Sequence, residues 1–477
     1  MSLSDGIKAI VTDSHFLVPF FVLLAGIALL VVLHCVDKVH VPTKNEERGM
    51  AGVVQKVEKT GLSLHSLGVI CGLTAGVWLG AAEAPTKLVN SGFSPFAISL
   101  CMVAGVFTAR WTFPTLLKGT GYVFADLAEK KHLIVWALLA GALWAVANTL
   151  TVFAIRDVGL AVAFPMWNAN SLIGLFWGRV LFRELEGASG KNVGKVVVGA
   201  IAIVIAAVML GFSTIHGGAM GQHALRGIVA ALGASLMWGT MYVPYRKAYL
   251  SGMNPLSFVT AFTIGELGTV LALTLALDGG IHSSAFQLFH MPGVLFWLFL
   301  GGFVWVIGDL FQQFAAKYLG IGRGIPLSNT NQLWGLAWGA LVFGELAGAD
   351  RQHILLVIGG SVIMILGALA ISTAVASAKE NSSTNQAVLR ECNRYGLNYH
   401  RTIMAQAGDE FGGRDERRRW WDYAIVLAAT GIFVALGIRA VVPPLTMDLK
   451  WVAVLGLVLV LSLVAGGLSL WRRTRFC

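Results

Sequence analysis

The chain has 477 residues, 56% of them apolar and 13% charged, with a mean hydropathy of +0.73 and a formal net charge of +10. A soluble fold of this size needs about a quarter of its residues charged to cover its surface, so a polytopic membrane protein is indicated. The basic excess lies in loops between apolar segments, which argues against a nucleic-acid partner. Five scattered cysteines with no CxxC offer neither a disulfide framework nor a metal site.

Residues 16–36 form an apolar run preceded by Lys8. The run exceeds the roughly 7–15 residues of a signal-peptide core and lacks a small-x-small cleavage site, so it reads as an anchor helix. A charged linker follows at 37–60. Ten segments of spanning length come next, near 62–82, 94–117, 132–154, 159–181, 193–214, 224–246, 255–277, 292–316, 321–343 and 353–375. A polar stretch, 377–420, separates them from two more near 421–441 and 450–471, thirteen helices in all. The fold class expected is therefore an all-α polytopic membrane protein. With 37–60 in the cytoplasm and the segments alternating, cytoplasmic loops and the C-terminal tail hold 27 of the 35 Lys and Arg, and the opposite loops hold six. That asymmetry supports the count and puts the N-terminus outside and the C-terminus inside a plasma (inner) membrane.

The chain repeats itself. Trp136–Gly187 matches Trp297–Gly348 without a gap at 19 of 52 positions, among them Trp144/Trp305, Gly159/Gly320, Pro165/Pro326, Asn168/Asn329, Asn170/Asn331, Trp177/Trp338 and Glu184/Glu345. Shared apolar residues follow from membrane composition, but shared Pro, Asn, Trp and Glu in register mark a duplication. Upstream, Trp78, Lys87, Ser91, Gly92 and Pro95 match Trp238, Lys247, Ser251, Gly252 and Pro255. The unit is thus five helices, and an odd number of spans turns the second copy over, an inverted repeat of the kind secondary transporters use. The expected organisation is an anchor and linker (1–60), a first repeat (61–214), a second repeat (215–376), a polar basic linker (377–420) and a C-terminal hairpin with its tail (421–477).

Two stripes carry polar chemistry. Trp144, Asn148 and Thr151 recur at helical spacing on the third core helix, and Trp305, Asp309 and Gln312, with Gln313 adjacent, on the eighth. Polar side chains on a spanning helix face the bundle or a wet cavity, and a Trp beside amides suits a sugar, whose C–H faces stack and whose hydroxyls bond. The competing role is to hold helices together. Asp309 matches neutral Asn148 in the other copy, and an aspartate at this depth that binds and releases a proton would couple transport to protons. Arg110 and Glu266 are expected to pair across the bundle, because a lone buried charge is costly. Pro165 and Pro326 bend the fourth and ninth helices. Asn168 and Asn170 lie about 200° apart around an unbroken axis, as do Asn329 and Asn331. Asn170 and Asn331 belong to small-residue packing faces, so Asn168, Asn329 and the neighbouring Trp167 are the better substrate contacts. Glu184 and Glu345, at helix exits, read as caps or gates. Glu83 and Lys87 read as an exposed pair. RDERRR at 414–419 beside Trp420 and Trp421 reads as an interfacial anchor.

Ten helices in two inverted five-helix units resemble the drug/metabolite transporter superfamily. LMWGTMYVPYRKAYLSGMNP at 236–255 and GALWAVANTL at 141–150 resemble the first- and third-helix motifs of its glucose/ribose/rhamnose sugar-transporter-like branch. Pro165 and the Gly-x-x-x-Phe-x-Glu at 178–184, repeated at 339–345, resemble its fourth and ninth helices. The resemblance covers about 61–376 and omits the first helix and the C-terminal pair. It implies a central cavity lined by both repeats, no ATP, and often proton coupling. The expected function is secondary transport of a small polar metabolite, a sugar above all, with an exporter of amphipathic or cationic compounds as the rival. An enzyme is disfavoured, since the histidines are dispersed and neither Walker A nor HExxH is present. No cofactor or metal is expected. The partners are the bilayer, the substrate and protons, and a homodimer is left open.

Overall fold

The computed structural model describes residues 63–87, 93–216, 223–278, 292–408, 418–441 and 447–476. The expected anchor helix at 16–36 and the linker after it lie outside these residues. Every regular element among those described is helical, as the membrane demands of a chain whose backbone groups find no water there. In order, α1 (Leu64–Ala82), α2 (Pro95–Leu117) and α3 (His132–Val158) precede a broken helix, α4a (Leu160–Trp167) and α4b (Asn170–Phe182), and then α5 (Gly190–His216). The pattern recurs as α6 (Ala224–Leu250), α7 (Pro255–Leu277), α8 (Pro292–Leu319), the broken α9a (Ile321–Ser328) and α9b (Asn331–Ala337), and α10 (Arg351–Ser372). A π-turn, Trp338–Val342, extends α9b. Beyond the core come α11 (Ala378–Tyr395), α12 (Tyr399–Gln406), α13 (Trp420–Ile438) and α14 (Leu449–Thr474).

Local sequence explains the starts. Ser94 and Asn254 cap α2 and α7, accepting from the backbone N–H of Ala97 and Leu256, with Pro95 and Pro255 in the first turn where a missing N–H costs nothing. Gly159 and Gly320 open α4a and α9a at φ 80° and 88°, a left-handed backbone that glycine adopts without strain.

One expectation needs correcting. Ten helices among the described residues are long and apolar enough to cross a membrane unbroken, and the segments expected at 159–181 and 321–343 are not among them. Each is cut in two, at Asn168–Ala169 and at Asn329–Thr330. Short-range bonds replace the helical ladder there, from Leu172 N to Ala169 O (2.9 Å) and from Leu333 N to Thr330 O (3.1 Å). The prolines within a turn upstream remove a donor each, but the interruption falls on the asparagines.

The core pairs one copy against the other. α3 packs on α6 and α7, and α8 packs on α1 and α2; α4b lies against α6, and α9b against α1; α5 packs on α10. Glycines allow the closest contacts. A Cβ added at Gly141, Gly265 or Gly105 would sit 2.1 Å from the carbonyl oxygen of Phe262, Leu138 or Phe299, and one at Gly302 would sit 1.9 Å from that of Met102. Backbones therefore touch without side chains between them. Apolar residues such as Val198, Leu355, Ile438 and Leu457 on α5, α10, α13 and α14 are exposed, as lipid-facing surface is. The C-terminal pair leans on the core, with Phe433 edge-on to Phe303 (4.6 Å) and Trp78 Nε1 donating to Leu459 O (3.2 Å). Cys71, Cys101 and Cys392 are free thiols.

The polar linker is folded. Its helices α11 and α12 dock on the core. Glu380 pairs through both oxygens with Arg323 on α9a and accepts from Leu185 N (3.0 Å), and Glu391 pairs with Lys247. Gln406 Nε2 donates to Tyr249 O (3.1 Å) and Leu250 O (3.0 Å), closing the end of α6. Arg418 donates to the terminal carbonyls of Thr115 and Leu116. These charges hold helix ends together; the rest of the basic run, 414–417, lies outside the described residues.

Two thermal-unfolding outcomes in detergent follow. Gly302→Ala is expected to destabilise the protein by at least about 1–3 kcal/mol, the cost of overpacking, and the wild-type melting temperature in this variant would contradict the close approach. Glu380→Ala is expected to cost about 3–5 kcal/mol by stranding buried Arg323, with Lys379→Ala, whose side chain is exposed, as the unaffected control.

Candidate substrate cavity and buried charge cluster

The two helix breaks meet at the centre. Asn168 Nδ2 donates to Asn331 Oδ1 (2.7 Å), and Asn329 Nδ2 reaches Asn168 O (2.8 Å), Asn170 Oδ1 (2.7 Å) and Ser171 Oγ (2.6 Å). The amides thereby bond the two copies to each other. Beside them lies a cavity of about 30 Å³ walled by Trp167, Trp238, Trp305, Tyr242, Gln312 and Glu83, with the four asparagines at one side. Three buried atoms of its lining residues, Asn329 Oδ1, Trp238 Nε1 and Glu83 Oε2, have no hydrogen-bond partner. Buried polar atoms are almost always paired, so these two acceptors and one donor are available to a polar guest.

Of the expected substrate contacts, Trp167, Asn168, Trp305, Gln312 and Asn329 line this cavity, and Trp144, Asn148, Thr151 and Gln313 do not. Trp144 stands behind Trp305, edge-on at 4.7 Å. Asn148 donates to Ser99 Oγ (2.9 Å) on α2, and Thr151 closes on Asn148 O (2.7 Å). The polar face of α3 thus serves packing against α2, while that of α8 reaches the cavity at Trp305 and Gln312. Asn170 and Asn331, expected as packing residues only, also line the cavity. A separation of about 200° holds only on one continuous axis, and the break between Asn168 and Asn170 removes it. Glu83 is only 3% exposed, against the expectation of a solvent pair; the side chain of Lys87 lies outside the described residues. Trp238 and Tyr242 went unmarked, although Trp78/Trp238 was already a matched pair.

Behind Trp305 sits a buried cluster. Arg110 Nη2 lies 2.9 Å from Asp309 Oδ2 and 3.7 Å from Glu266 Oε1, with side-chain exposures of 0%, 1% and 0%. The expected Arg110–Glu266 pair is therefore a triad in which Asp309 is the closer partner. The guanidinium stands over Phe262 (4.1 Å) and Trp305 (5.1 Å), so Trp305 has the cavity on one side and a cation on the other. Gln313 Nε2 donates to Asp309 Oδ2 (2.6 Å), and Tyr249 Oη donates to Gln313 Oε1 (3.0 Å). Glu184 is a cap: it accepts from Ile321 N (3.0 Å) and Gly322 N (2.8 Å) at the positive end of α9a, with Arg246 Nε 3.7 Å away. Among the described residues no group of His, Cys, Asp or Glu is arranged to hold a metal ion.

The model of the sugar transport protein family matches residues 228–395. A Listeria monocytogenes protein provisionally named for sugar uptake is 25% identical over 268 residues, 55% of this chain and 87% of the relative. The glucose uptake protein of Staphylococcus xylosus is 22% identical over 264 residues, 54% of this chain and 85% of the relative. Transmembrane protein 144 homolog B of Dictyostelium discoideum is 25% identical over 128 residues, 25% of this chain and 34% of the relative. The family and its uptake relatives carry the names of transport proteins and not of enzymes. With the all-helical multi-pass fold, these matches make the chain similar to a sugar-transporter-like membrane family, consistent with the drug/metabolite transporter superfamily.

Proposed function

We propose that the protein is a secondary active transporter that carries a sugar across the plasma membrane by alternating access around the cavity between the two helix breaks. The observation that carries this reading is that both breaks, one from each copy, wall a single site. Discontinuous helices at the midplane are how such carriers present backbone and amide groups to a substrate. Trp167, Trp238 and Trp305 supply faces for sugar C–H groups. Asn168, Asn329, Gln312 and Glu83 supply hydroxyl partners.

At about 30 Å³ the cavity has room for a water or two, whereas small-molecule sites run to roughly 300–1,000 Å³. The structure therefore corresponds to a closed state, and admitting a sugar requires the five-helix units, 61–214 and 215–376, to rock apart. An inverted repeat suits that motion, and the mirrored pairing of α3 with α6 and α7, and of α8 with α1 and α2, supports it. In this reading α11 and α12 sit on the cytoplasmic face and hold that gate shut. The buried triad supplies coupling to protons. A cationic substrate is the second reading: Asp309 is already held by Arg110, but Glu83 gives the tryptophan-walled cavity an acid with an unpaired oxygen.

Purified protein in proteoliposomes, given a panel of labelled sugars and organic cations with and without an inward proton gradient, tests this directly. A sugar is expected to accumulate on the gradient and to leak out with a protonophore; accumulation of cations alone would refute the assignment. Asn329→Ala and Trp305→Ala are each expected to reduce kcat/KM about 5–150-fold, corresponding to about 1–3 kcal/mol of lost contact.

A further inference from the structure

The triad holds two carboxyl groups and one guanidinium, and only one of the carboxyls is equipped to be an anion. We propose that Glu266 is the group that takes up and releases the coupled proton, while Arg110 and Asp309 remain a standing ion pair beside it. The proposal rests on the proton-coupled transport reading above and names the site at which the coupling ion binds.

The hydrogen bonding divides the two acids. Asp309 Oδ2 accepts from Arg110 Nη2 at 2.9 Å and from Gln313 Nε2 at 2.6 Å, and its other oxygen has no partner. Tyr249, by donating to Gln313 Oε1, fixes that amide with its NH2 towards Asp309, the orientation an ionised carboxylate requires. Glu266 has no such support. Both its oxygens are buried without a hydrogen bond, and its nearest cation, Arg110, is 3.7 Å away. An anion stripped of water and of donors is strongly disfavoured, whereas a neutral carboxylic acid in the same place is not.

Charge counting agrees. Arginine stays protonated in a protein, so the triad is neutral with a proton on Glu266 and carries −1 without it. The groups that face Glu266 are Arg110 from α2, Asp309 from α8, and Tyr245, with Tyr249 beyond it, from α6. α3 meets it through the backbone at Gly141. The short helix Thr120–Glu129 meets the start of α7, where Asp126 accepts from Asn254 N, about three turns from Glu266. No second cation is available to stabilise a second carboxylate among these groups.

The two copies show that the frame does not need these charges. Position for position, Glu266 matches Val106, Arg110 matches Val270 and Asp309 matches Asn148, so the triad exists in one orientation only. Its link to the cavity is Arg110, whose guanidinium lies between Phe262, one turn from Glu266, and cavity-lining Trp305. A sugar that displaces Trp305 moves the guanidinium relative to Glu266. Close approach favours loss of the proton to water on the open side, and retreat favours its recovery.

The test uses full-length protein in proteoliposomes and two readouts. First, accumulation of the transported sugar on a proton gradient is expected to fall at least tenfold in Glu266→Gln, and the pH profile of sugar counterflow at equal pH on both sides is expected to become flat. Second, infrared difference spectroscopy at neutral pH is expected to show the C=O band of a protonated carboxylic acid, shifted in Glu266→Asp and unmoved in Asp309→Glu. A band that follows Asp309, the lack of any such band, or gradient-driven accumulation in Glu266→Gln overturns the assignment. If the wild type transports sugar yet never accumulates it on a proton gradient, the coupling itself is refuted, and the infrared band separately shows which carboxyl holds the proton.

Discussion

A helix interrupted within a membrane leaves carbonyl and N–H groups that lipid cannot satisfy, and the centre of this protein follows from that constraint. Two helices stop in this way, and each supplies the amides the other lacks: Asn329 reaches the carbonyl of Asn168, and Asn168 reaches Asn331. Because the two interruptions are bonded to one another through these amides, they lie side by side at the junction of the copies. The cavity is what remains beside this junction, roofed by three tryptophans.

Around that symmetric frame the chemistry is one-sided. The amides are nearly the same in both copies, but the acid–base triad comes from α2, α7 and α8 with no counterpart at the matched positions. In the transport cycle proposed above, the duplicated scaffold is the pivot, and the departures from duplication give the direction in which a proton and a substrate are told apart. The docked helices α11 and α12 add a further asymmetry, since Glu380 clamps α9a at Arg323 while no equivalent segment follows the first copy's α5 in the chain.

Much of this was legible from residues alone. Spanning length and the in-register Pro, Asn and Trp matches gave the helices, the duplication and five of the cavity residues, because apolar periodicity and repeat identity report directly on lipid and on fold. The reading failed where an axis was assumed to continue. Asn168 and Asn170 were set on different faces of a straight helix, yet a turn between them brings both to one cavity. It failed again for Asn148, since periodicity tells which face is polar and not whether a neighbour such as Ser99 has already taken it. Of the polar positions that differ between the copies, Gln312 reaches the cavity, while Asn168 and Asn329, identical in the two copies, contribute to both frame and cavity. Glu380 and Arg323 are far apart in sequence, and nothing local announces their bond.

The glycine contacts between α3 and α7 and between α2 and α8 have a consequence for how such a chain diversifies. At Gly141, Gly265, Gly105 and Gly302 the copies meet backbone to backbone, and a contact made without side chains does not depend on which side chains surround it. Neighbouring positions are free to drift, one copy acquiring an acid where the other keeps an amide, without altering the surfaces on which the halves rest. The geometry of the junction thereby rests on four places where there is no side chain to vary, and the residues around it change independently.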